Sequence, residues 1–161
     1  MSSSASPGRR DLNGRIVAQG RLARLRSRLR SGAEAGPLSL ADEVVEVAGS
    51  EDDAVASSTA LDASSWRAED EVILRHHLEI PSERVDAAAG VAALDGYERV
   101  DDERWGPLPV PSADGLVLLM VARVQLLDAM HLSQERSRMA SLGSRHGGAA
   151  RGWAVLQRPP G

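Results

Sequence analysis

Two stretches decide the fold: EVILRHHLEIPSERVDAAAGVAALDGYERV (residues 71–100) and GLVLLMVARVQLLDAMHLSQERSRMASLGSRHGGAARGWAVLQR (residues 115–158). The first begins with a strand-like run at 72–80 and continues into an Ala-rich helical pattern at 83–95 and a strand start at 96–100. The second contains an apolar strand at 116–127, a helix at 129–146 and a closing strand at 152–157. The pattern predicts the order β-α-β-β-α-β.

Local signals support these boundaries. Ser82 and Asp128 are favourable N-cap residues, and Gly96 and Gly147 are suited to end the two helices. The strand at 116–127 is apolar on both faces, as expected of a central strand. We therefore predict an α+β fold of the ferredoxin-like type over residues 67–161. It has an antiparallel βαββαβ sheet with two helices on one face, preceded by a charged N-terminal extension.

Charge is distributed unevenly along the 161 residues. The net charge of −4 is the sum of +7 in residues 1–33, −9 in residues 34–70 and −2 in residues 71–161. Such charge blocks are typical of solvated interaction tails. We predict that residues 1–66 are largely disordered or tail, with a basic amphipathic helix at 14–30 and a short acidic helix at 40–48. Ser39 would cap the acidic helix and Gly49 would end it.

Composition excludes several classes of protein. The chain has no Cys, so disulfides, thiolate metal sites and cysteine nucleophiles are excluded. No apolar run approaches the roughly 20 residues of a membrane span, and the N-terminus lacks the apolar core of a secretory signal. We predict a cytoplasmic protein with no membrane contact. An organelle transit peptide is an alternative reading of the Ser- and Arg-rich start.

The histidines and carboxylates do not predict a catalytic, cofactor or metal site. His76 and His77 are adjacent in a strand and point to opposite faces, so they cannot chelate one ion together. His76 is better interpreted as a hydrogen-bonded core residue. The acids concentrate in tails and turns, and no Gly-x-Ser-x-Gly nucleophile elbow occurs. We therefore predict a protein that is not an enzyme.

The sheet face away from the helices is the candidate protein-binding surface. An exposed apolar cluster on that face would need a cover, either a partner or a segment of this chain such as 22–29 or 40–47. Trp66 and Trp105 could contact a partner or cover the core. The candidate partner-binding residues are Ile73, Arg75, His77, Val117, Leu119, Val121 and Trp153.

Nucleic-acid binding is an alternative function. RNA-recognition motifs share the predicted topology but stack bases on aromatic side chains, and His77 is the one ring among the predicted open-face positions. Phosphate binding by the basic helix remains open, as does the interpretation of that helix as a solvated tail or an electrostatic partner of residues 34–70. The candidate nucleic-acid-binding residues are Arg21, Arg24, Arg26, Arg28 and Arg30.

Over about residues 70–158 the chain resembles the regulator of ribonuclease E activity B family, also called ribonuclease E inhibitor B. The similar features are the strand with His76-His77-Leu78, the Ala-rich helix, Gly96-Tyr97-Glu98, Leu127-Asp128-Ala129 and Gly152-Trp153. The resemblance implies a ferredoxin-like fold and a non-enzymatic protein that binds a ribonuclease E-like nuclease and restrains RNA decay. Ala150-Arg151 differs from the acidic Tyr-Asp of the family. A third hypothesis is a ferredoxin-like module with an unknown small ligand.

Overall fold

The computed structural model describes residues 8–17, 36–100 and 103–161, which form an α+β structure with a five-stranded antiparallel sheet and three α-helices. The predicted α+β class is thus confirmed. The elements are β1 (Val45–Ser50), α1 (Ser57–Asp62), β2 (Val72–Pro81), a 3₁₀ turn (Ser82–Arg84), α2 (Val85–Leu94), β3 (Glu98–Arg99), β4 (Leu116–Gln125), α3 (Ala129–Arg145) and β5 (Ala149–Gln157).

The strand β2 lies at the centre of the sheet. The strand order is β1-β5-β2-β4-β3, and every neighbouring pair is antiparallel. The helix α2 joins β2 to β3, with β4 between them in the sheet, and α3 joins β4 to β5, with β2 between them. The helices pack on one face of the sheet, where α2 and α3 share one apolar cluster and α1 joins a second.

Small side chains on α2 and an N-cap on α3 explain how these helices form and pack on this face. The small residues Ala88 and Ala92 bury the inner side of α2 against the sheet. The Asp128 carboxylate accepts the backbone N–H of His131 at 2.7 Å, which confirms the predicted N-cap of α3. Ser82 does not cap α2 as predicted, because it begins the 3₁₀ turn that precedes this helix.

The predicted acidic helix at 40–48 is wrong, because residues 45–50 form the edge strand β1. The Asp42 carboxylate accepts the Ser39 N–H at 3.1 Å, and the Ser39 hydroxyl accepts the Ala41 N–H at 3.2 Å. These bonds close an isolated turn, and the strand β1 rather than a helix follows it. The Val-rich sequence that follows has a preference for strand, and it pairs with β5 across a bulge between Glu46 and Ala48.

The predicted basic helix at 14–30 falls mostly on residues 18–35, which lie outside the described residues, as do its five candidate arginines. In its described part, residues 14–17 are not helical. Arg10 and Ile16 form an antiparallel bridge around a turn in which Gly14 has a φ of 72°. The left-handed conformation at Gly14 and the bridge exclude a helix start at this point.

The described residues from 36 to 66 belong to the folded unit, in contrast to the tail predicted for residues 1–66. Leu38, Ala48 and Leu61 are buried, and Trp66 packs against the same apolar cluster as Leu61. The predicted linker at 50–66 contains α1, which packs on α3. Sequence reasoning missed these contacts because the apolar residues of this acidic stretch occur in short groups without a long helical or strand period, and only the fold supplies their neighbours.

Candidate interaction surface

The pairing of β2 with β4 corrects the predicted sheet face. Residues directly opposite each other in an antiparallel pair point to the same side, and Leu78 lies opposite Leu119. Leu78 faces the helices, so Leu119 does as well. Val117 and Val121 follow it at a period of two. These three residues therefore lie on the opposite face from Ile73. The sequence analysis, which placed all four on one face, was wrong on this point.

The face that does carry Ile73 is covered by other parts of the chain. Ile73 is fully buried there, in a cluster completed by β4 side chains such as Met120 and Val124. Side chains from residues 36–44, residue 100 and residues 103–108 lie over it, so the cover comes from this chain, one of the two alternatives left open. The covering residues are Leu38, Leu40, Val44, Val100, Trp105 and Leu108.

A row of polar and ionisable side chains runs along β2 on this second face. Arg75 Nη2 lies 3.3 Å from Glu46 Oε2, and His77 Nε2 lies 3.7 Å from Glu51 Oε1. Burial lowers the pKa of His77. The sequence analysis did not foresee these partners, because β1 was assigned as a helix and its acids were assigned to a tail.

Glu79 ends this row in a bonded cluster. Its carboxylate accepts the Ser112 hydroxyl at 2.5 Å, the Ser112 N–H at 3.0 Å and the Arg151 Nε–H at 3.1 Å. The Ser112 hydrogen bonds and Arg151 lower the pKa of Glu79 and keep it ionised. Arg151 stands where the resemblance led us to expect an acid, and here it holds the loop at 112 to the sheet.

A second polar cluster is buried between the sheet and α3. The Tyr97 hydroxyl donates to Glu135 Oε2 at 2.7 Å and lies 3.5 Å from His76 Nε2. Arg123 Nη2 lies 3.5 Å from Glu135 Oε1, and the Arg123 guanidinium stacks 4.5 Å from the centre of the Tyr97 ring. Gln125 accepts two N–H bonds from Arg123 through its side-chain oxygen. The buried charges of this cluster are thus paired within the protein.

Burial sets the protonation of this cluster. It lowers the pKa of His76 to about 3, with a further contribution from the charge of Arg123, and it raises the pKa of Tyr97. His76 is therefore neutral and Tyr97 a phenol near neutral pH. Both side chains are almost fully buried, which agrees with the interpretation of His76 as a core residue.

The three tryptophans pack in or against the apolar clusters of the core. Trp153 is 4% exposed, in the cluster under α1 and α3, with the Arg136 guanidinium 5.7 Å from its ring centre. Trp105 packs against the apolar cluster on the second face of the sheet, and Trp66 packs against the apolar cluster beneath α1. With Trp153 and Ile73 in the core, the candidate partner-binding residues do not form one exposed surface.

The helical layer instead presents a groove between α2 and α3. Its volume is about 300 Å³, and its floor is formed by the buried residues Ala92, Met139 and Leu142. Val91 lines it from α2 with 42% of its surface exposed, and Leu94, three residues further along this helix, is 86% exposed. The groove is thus an apolar surface that remains open in the described structure.

Charges border this groove on both helices. Arg138 and Arg145 line it from α3, and Asp95 lines it at the end of α2. Arg138 is fixed by an ion pair with the buried Glu135 at 3.4 Å, and Glu135 is the one acidic residue in the sequence of α3. The exposed charge along α3 is therefore positive.

A larger depression of about 560 Å³ lies between α1 and α3, and its principal charge is already engaged. Arg136 donates to the backbone oxygens of Val55 and Asp53 and to the Ser57 hydroxyl at 2.8–3.2 Å. These bonds fasten α1 and the loop before it to α3. We therefore regard the groove between α2 and α3 as the candidate interaction surface.

The groove was missed in the sequence analysis, although a signal for it was present. Val85, Ala88 and Ala92 form the buried side of α2, which leaves Val91 and Leu94 as apolar residues on another side of the same helix. A second apolar side on a short helix indicates either further burial or a contact surface.

The described residues offer neither a metal site nor a membrane-spanning helix. No group of three or more His, Asp or Glu side chains in residues 8–17, 36–100 and 103–161 is placed to hold a metal ion. No helix in the described part of the chain has the length and apolarity needed to cross a bilayer. Comparison of the chain with protein-family models, curated proteins and solved structures found no match.

Proposed function

We propose that this chain is a non-enzymatic, cytoplasmic regulatory protein that acts by protein–protein contact. The groove between α2 and α3 carries this proposal, because it leaves Val91 open to solvent beside two arginines, and the exposed Leu94 lies three residues further along α2. Isolated apolar side chains are common on protein surfaces, but a groove that combines them with an apolar floor is typical of a contact site. The buried polar clusters, in contrast, are engaged in holding the fold together.

The partner we propose is a ribonuclease E-like nuclease, as the resemblance of residues 70–158 implies. The strand order β5-β2-β4-β3 supports a fold of the expected kind. In this order, the two strands joined by a helix are never neighbours, because one antiparallel strand lies between them. Such an order is what we expect of a split β-α-β, ferredoxin-like sheet, so it supports the proposal, and β1 adds a fifth strand. Fold alone does not define a partner, so the proposal needs a direct test.

The test is affinity capture of the tagged full chain from its own cells, with and without nuclease treatment. We expect a ribonuclease E-like protein to be captured in both conditions and its RNA cleavage to slow when the purified full chain is added. Capture that disappears after nuclease treatment, or cleavage at an unchanged rate, would contradict the proposal.

Nucleic-acid binding through the arginines at 21, 24, 26, 28 and 30 is the alternative, favoured by the net charge of +7 in residues 1–33. Binding of this kind depends on phosphate contacts, so its affinity falls steeply with salt. Two results together would favour this function. The captured partner would be lost on nuclease treatment, and the chain would show salt-sensitive RNA binding that deletion of residues 1–33 removes.

A further inference from the structure

The groove between α2 and α3 has features that limit what can occupy it. Its floor of Ala92, Met139 and Leu142 is apolar, and its volume of about 300 Å³ has room for a few side chains. Val91 and Leu94 extend the apolar surface along α2. An occupant that buries several apolar side chains in one row would fit this shape.

The charges on α3 define the second requirement. Arg138 and Arg145 are seven residues apart, which is two helical turns or about 10 Å along one side of the helix. Both are exposed and line the groove. The ion pair with Glu135 orients Arg138, and Asp95 is the one acid among the groove-lining residues.

We propose that the groove binds an acidic amphipathic helix of a partner protein. The apolar side of that helix would pack on Val91, Leu94 and the floor, and acidic residues two turns apart would face Arg138 and Arg145. A helix matches because its own i and i+7 positions repeat at the spacing of the two arginines. This inference rests on the proposed function and names the chemistry of the partner segment.

The experiment uses fluorescence anisotropy with the full chain and a labelled synthetic peptide of roughly 20 residues, a length at which an isolated helix can form. The peptide carries Leu along one helical side and Glu and Ala elsewhere. Two matched peptides have either the same composition with scattered Leu or Lys in place of Glu. We expect the acidic amphipathic peptide to bind more tightly than both matched peptides.

Variants locate the binding. Arg138→Glu combined with Arg145→Glu should weaken binding about tenfold, because two attractive charges at the groove become repulsive. Leu94→Ser, at an exposed position where folding should be unaffected, should weaken it about threefold. Arg84→Glu is the charge control, because Arg84 is exposed and lies outside the groove, and it should change binding less than about twofold.

Two outcomes would overturn the inference: equal binding of the Glu and Lys peptides, or groove variants that bind as tightly as the unmodified chain. The double arginine variant is also used in affinity capture. If it still retains the captured nuclease, the groove inference fails while the proposed function stands. If the unmodified chain captures no nuclease, the proposed function fails.

Discussion

His76 occupies a place where the charged form of its ring is strongly disfavoured. Its ring is 2% exposed, stands edge-on to the ring of Tyr97 at 5.7 Å and has the charged Arg123 nearby. The alternation of β2 indicated that His76 lies in the core. Its partners were not predictable, because Tyr97 and Glu135 are distant in sequence and meet only through the packing of α3 on the sheet.

We predict that His76 makes the protein sensitive to acid. Burial lowers its pKa from 6.5 to about 3, so between these values the unfolded chain holds a proton that the folded chain lacks. The free energy of unfolding therefore falls as the pH drops through this range, by up to about 1.4 kcal/mol per pH unit from this residue. Urea unfolding at a series of pH values measures the slope.

A His76→Gln variant should lose that part of the pH dependence, whatever its effect on stability at neutral pH. His146→Gln is the matched control, because it retains His76 and should retain the slope due to it. The expectation fails if His76→Gln leaves the change in unfolding free energy between about pH 7 and pH 5 as it was.

Among the elements, β5 shows how one glycine determines the packing of three strands. A Cβ at Gly152 would lie 2.7 Å from His77 Cε1 and 3.0 Å from the backbone oxygen of Ser50. The first neighbour belongs to β2 and the second to β1, and β5 runs between them. The Gly-Trp pair at 152–153 thus combines a close backbone approach with a core side chain.

We predict that Gly152→Ala destabilises the protein by about 1–3 kcal/mol, because the inserted methyl group must displace the largely buried His77 ring and crowds the backbone oxygen of Ser50. Gly90→Ala is the control. A Cβ at Gly90, in α2, would meet no atom within 4 Å, and Ala in a helix is favoured over Gly by about 0.5–1 kcal/mol. Chemical unfolding of both variants should give changes of opposite sign, and similar effects would contradict the packing argument.

The limits of prediction from sequence also appear at the level of elements. The boundaries of β2 and α3 were predicted closely, since a long alternating run and a capped amphipathic helix are local signals. The strand β1 was not predicted, because the turn before it, at Ser39 and Asp42, also suits the start of a helix. Only pairing with the open edge of β5 decides between strand and helix. The groove depends on the spacing of two helices, a property that neither helix encodes alone.

At the scale of the whole molecule, one carboxylate joins separate parts of the chain. Glu71 Oε1 accepts the Arg10 N–H at 2.7 Å, and Glu71 Oε2 accepts the Leu38 N–H at 2.8 Å. Nearby, the Gln125 side chain donates to the Leu12 backbone oxygen at 3.0 Å. Residues 8–17 and 36–44 are therefore fastened to the ends of the central strands.

We predict that Glu71→Gln loosens one of the two segments, because an amide offers one acceptor oxygen where the carboxylate offers two. Loss of a hydrogen bond to a charged group costs about 1.5–3 kcal/mol, so at least one of the Arg10 and Leu38 amides should exchange hydrogen about tenfold faster or more. Hydrogen exchange read by mass spectrometry measures this. Glu69→Gln, at an exposed site close by, is the control, and equal exchange in the two variants would contradict the assigned role.

The two outer strands of the sheet have a consequence for how molecules of this protein meet one another. A free strand edge can pair with the edge of another copy and so lead to aggregation. Here β3 is only two residues long, and β1 is interrupted by the bulge between Glu46 and Ala48, with the acidic Glu46 at the bulge. Among the described residues neither edge offers a long, regular row of backbone groups, so edge-to-edge pairing of sheets between copies is disfavoured.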